Sequence, residues 1–132
     1  MTRRAPDPDR VAREKRGRSA EYVAAALLLM RGHRIIARRC RTPFGEIDLI
    51  ALRGRRIVFV EVKHRQTREA AEAALTDRQA ERVAEAAEYW IGRRAAFAEY
   101  ERGYDAVLVL PWRWPILMKD AYQPVGTDGR MW

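Results

Sequence analysis

Cysteine is almost absent from this sequence. Its 132 residues include one, Cys40, so no disulfide can close within the chain, and a reducing cytoplasm is the simplest compartment for it. Serine is equally scarce: Ser19 stands alone, which argues against a serine hydrolase, and no histidine adjoins Cys40 to activate a thiol. The two histidines, His33 and His64, are isolated and make no zinc spacing. There is no Walker-type loop, no dinucleotide-binding glycine pattern and no internal repeat. Long apolar runs are missing too. Ala24–Met30 is bounded by Glu21 and Arg31, is far too short to span a bilayer and has no clean cleavage site after it, so neither a membrane partner nor a secretory signal is expected. Arg3-Arg4 lacks the rest of a twin-arginine context. Lysine is the most telling scarcity, with only Lys15, Lys63 and Lys119 among 26 basic residues.

What is present is basic. Lys and Arg outnumber Asp and Glu 26 to 18, a formal net charge of +8, and such a balance favours polyanions, nucleic acid first. The length suits one domain. Residues 1–18, with Pro6, Pro8 and many arginines, are expected to be a disordered basic tail. A folded domain is expected over 19–122 and a frayed tail over 123–132.

The stretch Gly45–Arg65, GEIDLIALRGRRIVFVEVKHR, organises the rest. It reads as two strands, Gly45–Leu52 and Arg56–Lys63, rich in Ile, Val, Leu and Phe. Gly54 falls between them, where a two-residue hairpin loop uses the positive φ that glycine adopts cheaply. With Gly54-Arg55 as the loop, Arg53 pairs with Arg56, and counting outward sets Asp48 opposite Glu61 and Glu46 opposite Lys63. A side-chain period of two puts all four on one face. A four-residue loop keeps that parity and a three-residue loop breaks it. Ile57 to Val62 is apolar on both faces, so the second strand is expected to be covered on both sides.

Two carboxylates at about 5 Å in an effective dielectric of about 20 repel by roughly 3 kcal/mol. A hard divalent cation, Mg²⁺ or Mn²⁺, would offset that, because it takes oxygen ligands. Arginine serves almost every generic charge in this chain, so a lysine beside the carboxylates suggests a compact ammonium with its own task. The competing reading of Asp48, Glu61 and Lys63 is a solvated polar hairpin face.

GEIDLIA followed by FVEVKHR resembles the YraN-like family of small bacterial proteins, within the PD-(D/E)XK nuclease superfamily and related in fold to Holliday-junction resolvases. The similarity runs from about Gly17 to Tyr122, and the EVK-x-R piece after GEIDLI is its specific part. The resemblance implies an α/β fold of the restriction-endonuclease-like kind: a mixed sheet of about five strands flanked by helices. It implies that Asp48 and Glu61 bind Mg²⁺ (or Mn²⁺), with the Val62 carbonyl as a further ligand. It implies that Lys63 positions or activates the attacking water, and that Glu21 on the first helix acts as an additional ligand or water-holder. Glu21 also suits the first turn of a helix on dipole grounds alone. The sequence departs from the family where Cys40 replaces a usual asparagine and Gln79 a usual lysine.

The remaining elements follow from local signals. Ser19–Arg31 reads as a helix with Ser19 as N-cap and Gly32 as its stop. Its apolar stripe is Tyr22, Ala25, Ala26 and Leu29, widened by Val23, Leu27 and Met30. Arg34–Arg41 reads as a strand whose Arg38, Arg39 and Arg41 edge the site. After Arg65 comes a polar, Ala-rich connector. Thr76 and Gln79 then fit a capping box opening a helix to about Arg93, with Val83, Ala86, Ala87 and Trp90 inward. Tyr104–Leu110 and Ile116–Met118 read as strands, with Asp105 structural. Pro111–Pro115 turns between them, and its Trp112 and Trp114 weigh towards core or dimer packing over stacking on unpaired bases.

The expected function is Mg²⁺-dependent hydrolysis of nucleic-acid phosphodiesters, with branched or irregular DNA as substrate. Arg38, Arg39, Arg41, Arg65 and Gln79 would engage its phosphates. Two other classes compete: a nucleic-acid-binding module without catalysis, and a protein-interaction adaptor using the aromatic C-terminal part. A homodimer is compatible with each.

Overall fold

A computed structural model of the chain describes residues 7–121. The 123–132 tail and Tyr122 lie outside the described residues, as do residues 1–6 of the basic N-terminal segment. The fold is α/β, a mixed five-stranded sheet in the order β1-β2-β3-β4-β5 with helices on both faces. The strands are β1 (Arg34–Thr42), β2 (Gly45–Arg53), β3 (Arg56–His64), β4 (Glu101–Val109) and β5 (Ile116–Met118). Neighbours are antiparallel except β3 and β4, which are parallel and joined by a helical crossover.

β2 and β3 form the expected hairpin. Arg53 pairs with Arg56 and the register runs outward to Leu49 opposite Val60. Gly54 takes the first loop position at φ +60°, a conformation that a side chain would strain. β3 sits at the centre of the sheet, and Ile57, Val58, Phe59 and Val60 are all buried because both of its faces are covered.

Alternation along β2 and β3 sends successive side chains to opposite helices. Leu49, Ala51, Val58 and Val60 meet α1 (Pro8–Met30) through Ala24, Leu27 and Leu28. Ile50, Leu52, Ile57 and Phe59 meet α3 (Asp77–Gly92) through Val83, Ala87 and Trp90. Phe59 is fixed edge-on to Trp90 and stacked with Tyr104. Asp105, only 1% exposed, accepts from both guanidinium nitrogens of Arg56 (3.2 and 3.0 Å) and from the Asp120 N–H (2.9 Å). That pairing ties β3, β4 and the turn after β5 together.

Three expectations are corrected. The first helix begins at Pro8, not Ser19, so 8–18 is helical and not an unfolded tail. Asp7 is its N-cap, accepting from the Asp9 N–H at 3.0 Å, and Pro8 opens the first turn where a missing N–H costs nothing. Ser19 is exposed in mid-helix. The buried stripe is Ala20, Ala24, Leu27 and Leu28, while Tyr22, Val23, Leu29 and Met30 are exposed. The run Ala24–Met30 is apolar all round, so its own sequence does not choose a phase; packing against the sheet does. The polar connector after Arg65 contains a short helix, α2 (Arg68–Ala73), capped by Thr67. It covers Leu108 and Leu110 together with β5.

Candidate active site

Asp48 marks the place where the sheet opens. The β2–β3 ladder stops at Leu49 and Val60, and one residue further Asp48 Oδ2 accepts the Val62 N–H at 2.8 Å. A side chain thus takes a backbone donor of the neighbouring strand. On the other side, Arg38 and Cys40 of β1 pair with Leu49 and Ile47, while Arg39, opposite Asp48, stands at φ +50°. A non-glycine residue in that region stores on the order of 1 kcal/mol and needs its surroundings to hold it. What holds Arg39 is Glu21 of α1, whose Oε1 accepts from Arg39 Nε at 2.7 Å.

Glu61 and Lys63 follow on β3. The Asp48 and Glu61 carboxyls lie close enough for each to shift the other's titration. Glu61 is pushed up to about 8, first by burial and then by the Asp48 charge, with Lys63 and Arg82 opposing the rise. Asp48 is also raised by burial, but its bond from Val62 works the other way. The Val62 N–H favours the ionised form of Asp48, and Glu61 is the carboxyl of the pair that holds a proton more readily. Lys63, 8% exposed, shares the α3-side parity of Glu61 and lowers both carboxyls.

The donor set suits a hard cation. Among the described residues, oxygens of Glu21, Glu46 and Asp48 lie within 4.8 Å of one another, and the Asp48–Glu61 pair is held together at the cost of a raised carboxyl. Partly buried carboxylates gathered this closely match the demand of Mg²⁺ or Mn²⁺ for oxygen ligands. Val62 contributes its N–H to orienting Asp48.

The opening lies between two clefts. On the α3 side a cleft of about 80 Å³ is lined by Gly45, Glu46, Glu61, Gln79, Arg82 and Val83. On the α1 side one of about 350 Å³ is lined by Arg18, Glu21, Tyr22, Arg38 and Arg39. Glu46 and Arg82 are site residues that sequence reasoning missed. Glu46 was set against Lys63 by extending the hairpin, but the strands part first and Glu46 faces Arg41 of β1 at 3.5 Å. Arg82 lies one turn after Gln79 on the same helical face, a spacing that could have flagged it. Its side chain packs so closely over Gly45 (φ +138°) that a Cβ there would come within 3.1 Å of it.

The other expected contact residues are spread more widely. Arg38 lies over the Tyr22 ring at 5.0 Å, on the α1 side. Arg41 is exposed. Arg65 is exposed at the end of β3 and donates to the His64 carbonyl at 2.8 Å. Gln79 gives its N–H to the Thr76 cap at 3.2 Å, while its buried Oε1 has no partner among the described residues. Cys40 is half-buried against the α3-side core. Trp112 and Trp114 are exposed, which removes core packing as their role.

Comparison with known proteins bears on the same region. The profile described as "Uncharacterised protein family UPF0102" matches residues 20–109. A UPF0102 protein of Mesorhizobium japonicum is 44% identical over 117 residues, covering 89% of this chain and 94% of the relative. One of Rhizobium meliloti is 43% identical over 122 residues, 92% of this chain and all of the relative. One of Rhodopseudomonas palustris is 50% identical over 110 residues, 83% and 84% of the two chains.

Proposed function

We propose that this chain, which belongs to the UPF0102 family, is a divalent-metal-dependent endonuclease of the PD-(D/E)XK type, acting in the cytoplasm on nucleic acid, with branched or irregular DNA as its substrate. The observation that carries the reading is the interacting Asp48–Glu61 carboxyl pair at the opened end of the β2–β3 hairpin, with buried Lys63 beside it. Asp48 and Glu61 would hold Mg²⁺ or Mn²⁺, with Glu21, Glu46 and the Val62 carbonyl as the further oxygens at hand. A cation bound there supplies Lewis-acid polarisation of a phosphoryl oxygen and a more acidic water. Lys63 orients that water and stabilises the charge that develops on the phosphate. Gln79 and Arg82 face the same cleft as Glu61 and are placed to contact a phosphate there. Arg38, Arg39, Arg41 and Arg65 serve the flanking backbone, and Arg39 does so by leaving Glu21.

The test is cleavage of branched, nicked, single-stranded and duplex substrates with Mg²⁺ or Mn²⁺. Asp48→Asn, Glu61→Gln and Lys63→Ala should fold and bind nucleic acid, yet lose cleavage by about 10²–10³ or more. Undiminished cleavage in Lys63→Ala and Asp48→Asn would sink the assignment. Binding by the wild type without cleavage of any substrate would instead make the protein a non-catalytic nucleic-acid-binding module.

A further inference from the structure

The turn between β4 and β5 carries two tryptophans that the site does not use. Pro111 and Pro115 bracket Trp112-Arg113-Trp114, so the segment is conformationally narrow on both sides. Trp112 is 102% exposed and stands at φ +59°; Trp114 is 66% exposed. An indole buries more apolar surface than almost any other side chain when it finds a partner. Here two are presented to solvent within three residues, one of them on backbone that side chains rarely adopt.

Their position is set by the sheet. β3 and β4 are parallel, with His64 beside Val109, and the Arg65 N–H donates to the Val109 carbonyl at 3.3 Å. The turn therefore leaves the sheet at the end where Lys63 and Arg65 leave it. Glu61 lies beside Ala106 of β4, and Trp112 is six residues further along the chain, in the turn past the end of that strand and within about 20 Å even of fully extended chain. Exposed Arg65, Arg68 and Arg113 border the same end.

We propose that Trp112 and Trp114 form a stacking platform for unpaired bases, so that the protein selects nucleic acid with a single-stranded segment beside the phosphodiester it holds. The position relative to the substrate rests on the function proposed above; the stacking itself does not. Flat aromatic faces hold successive bases without regard to sequence, and cations around them match a polyanion and repel a basic surface. A blunt duplex hides its base faces and would gain only the charge term.

The experiment measures binding of the full-length protein to a fluorescently labelled single strand, the blunt duplex of the same sequence, and that duplex with an overhang. Salt is fixed and divalent cation is omitted. Trp112→Ala and Trp114→Ala should each weaken binding to the single strand and to the overhang by about fivefold or more, and to the blunt duplex by less than about twofold. Phe at either position should restore most of the loss. Equal losses on all three probes, or no loss in the double variant, would overturn the platform. So would a shift from dimer to monomer in sedimentation with binding unchanged, which would make the turn a contact between copies. Wild-type protein that binds none of the probes would sink both proposals. Trp-dependent preference for unpaired bases without any cleavage would uphold the platform and sink the nuclease.

Discussion

Glu61 couples the site to pH. Its ordinary value of 4.5 is raised to about 8 by burial and by Asp48, so between those values the folded protein holds a proton that the unfolded chain has released. Stability without divalent cation is therefore fully present below about 4.5 and falls as pH rises through about 8, at no more than about 1.4 kcal/mol per pH unit. Glu61→Gln keeps the shape and removes the titration. Urea unfolding of both proteins from pH 5 to 9 should show the wild type losing stability relative to the variant; parallel curves would mean Glu61 titrates normally. Under the proposed function a metal displaces the same proton. Titrating Mn²⁺ at pH 7 should then release about one proton, read as a heat that changes with the buffer, and Asp48→Asn should lose it.

At the scale of elements, the helices do different jobs. α3 supplies the α3-side core and also Gln79 and Arg82 at the site, so its position sets the chemistry as well as the fold. Phe59→Ala removes the ring that α3 packs on, and chemical denaturation should show a loss of about 3–5 kcal/mol. α1 divides into two parts. Its described side chains before Ala20 are exposed or half-exposed, and Ala20, Ala24, Leu27 and Leu28 carry its packing. Removing residues 1–18 should leave the midpoint of thermal unfolding nearly unchanged, because none of their described side chains is buried, and Ser19 then becomes available as a new N-cap. Leu28→Ala, by contrast, should cost about 2–5 kcal/mol.

For the molecule as a whole, charge and the Arg56–Asp105 pair matter most. Each phosphate neutralised on duplex DNA should contribute roughly −0.9 to the slope of log affinity against log salt. The chain without 1–18 loses six arginines and a lysine, so its slope should be flatter than that of the full chain while the fold persists. An unchanged slope would place DNA elsewhere on the surface. Asp105 is buried with Arg56 between two central strands. Asp105→Ala takes the buried carboxylate from Arg56 and leaves its guanidinium with the exposed Asp120 carboxylate at 2.9 Å, and unfolding should show a loss of about 3 kcal/mol.

By itself, the sequence determined the elements whose signals are local. Gly54 between two apolar strands defined a hairpin and its register, because a tight turn fixes pairing by counting. Extending that register set Asp48 against Glu61 and gave Glu61 and Lys63 one parity, although the observed ladder runs only to Leu49 and Val60. Thr76 marked the start of α3, and Pro111 and Pro115 marked the last turn. Only the tertiary structure decided how far the hairpin stays paired. The Asp48 side chain captures the Val62 N–H, the ladder ends there, and Glu46 therefore turns to β1 instead of Lys63. It also decided which face of α1 is inside, since a run that is apolar all round has no phase until a sheet selects one. And it brought Glu21 and Arg82 to Asp48 and Glu61 from opposite faces of the sheet: proximity between residues so far apart in the chain is a property of packing, and no spacing within the sequence encodes it.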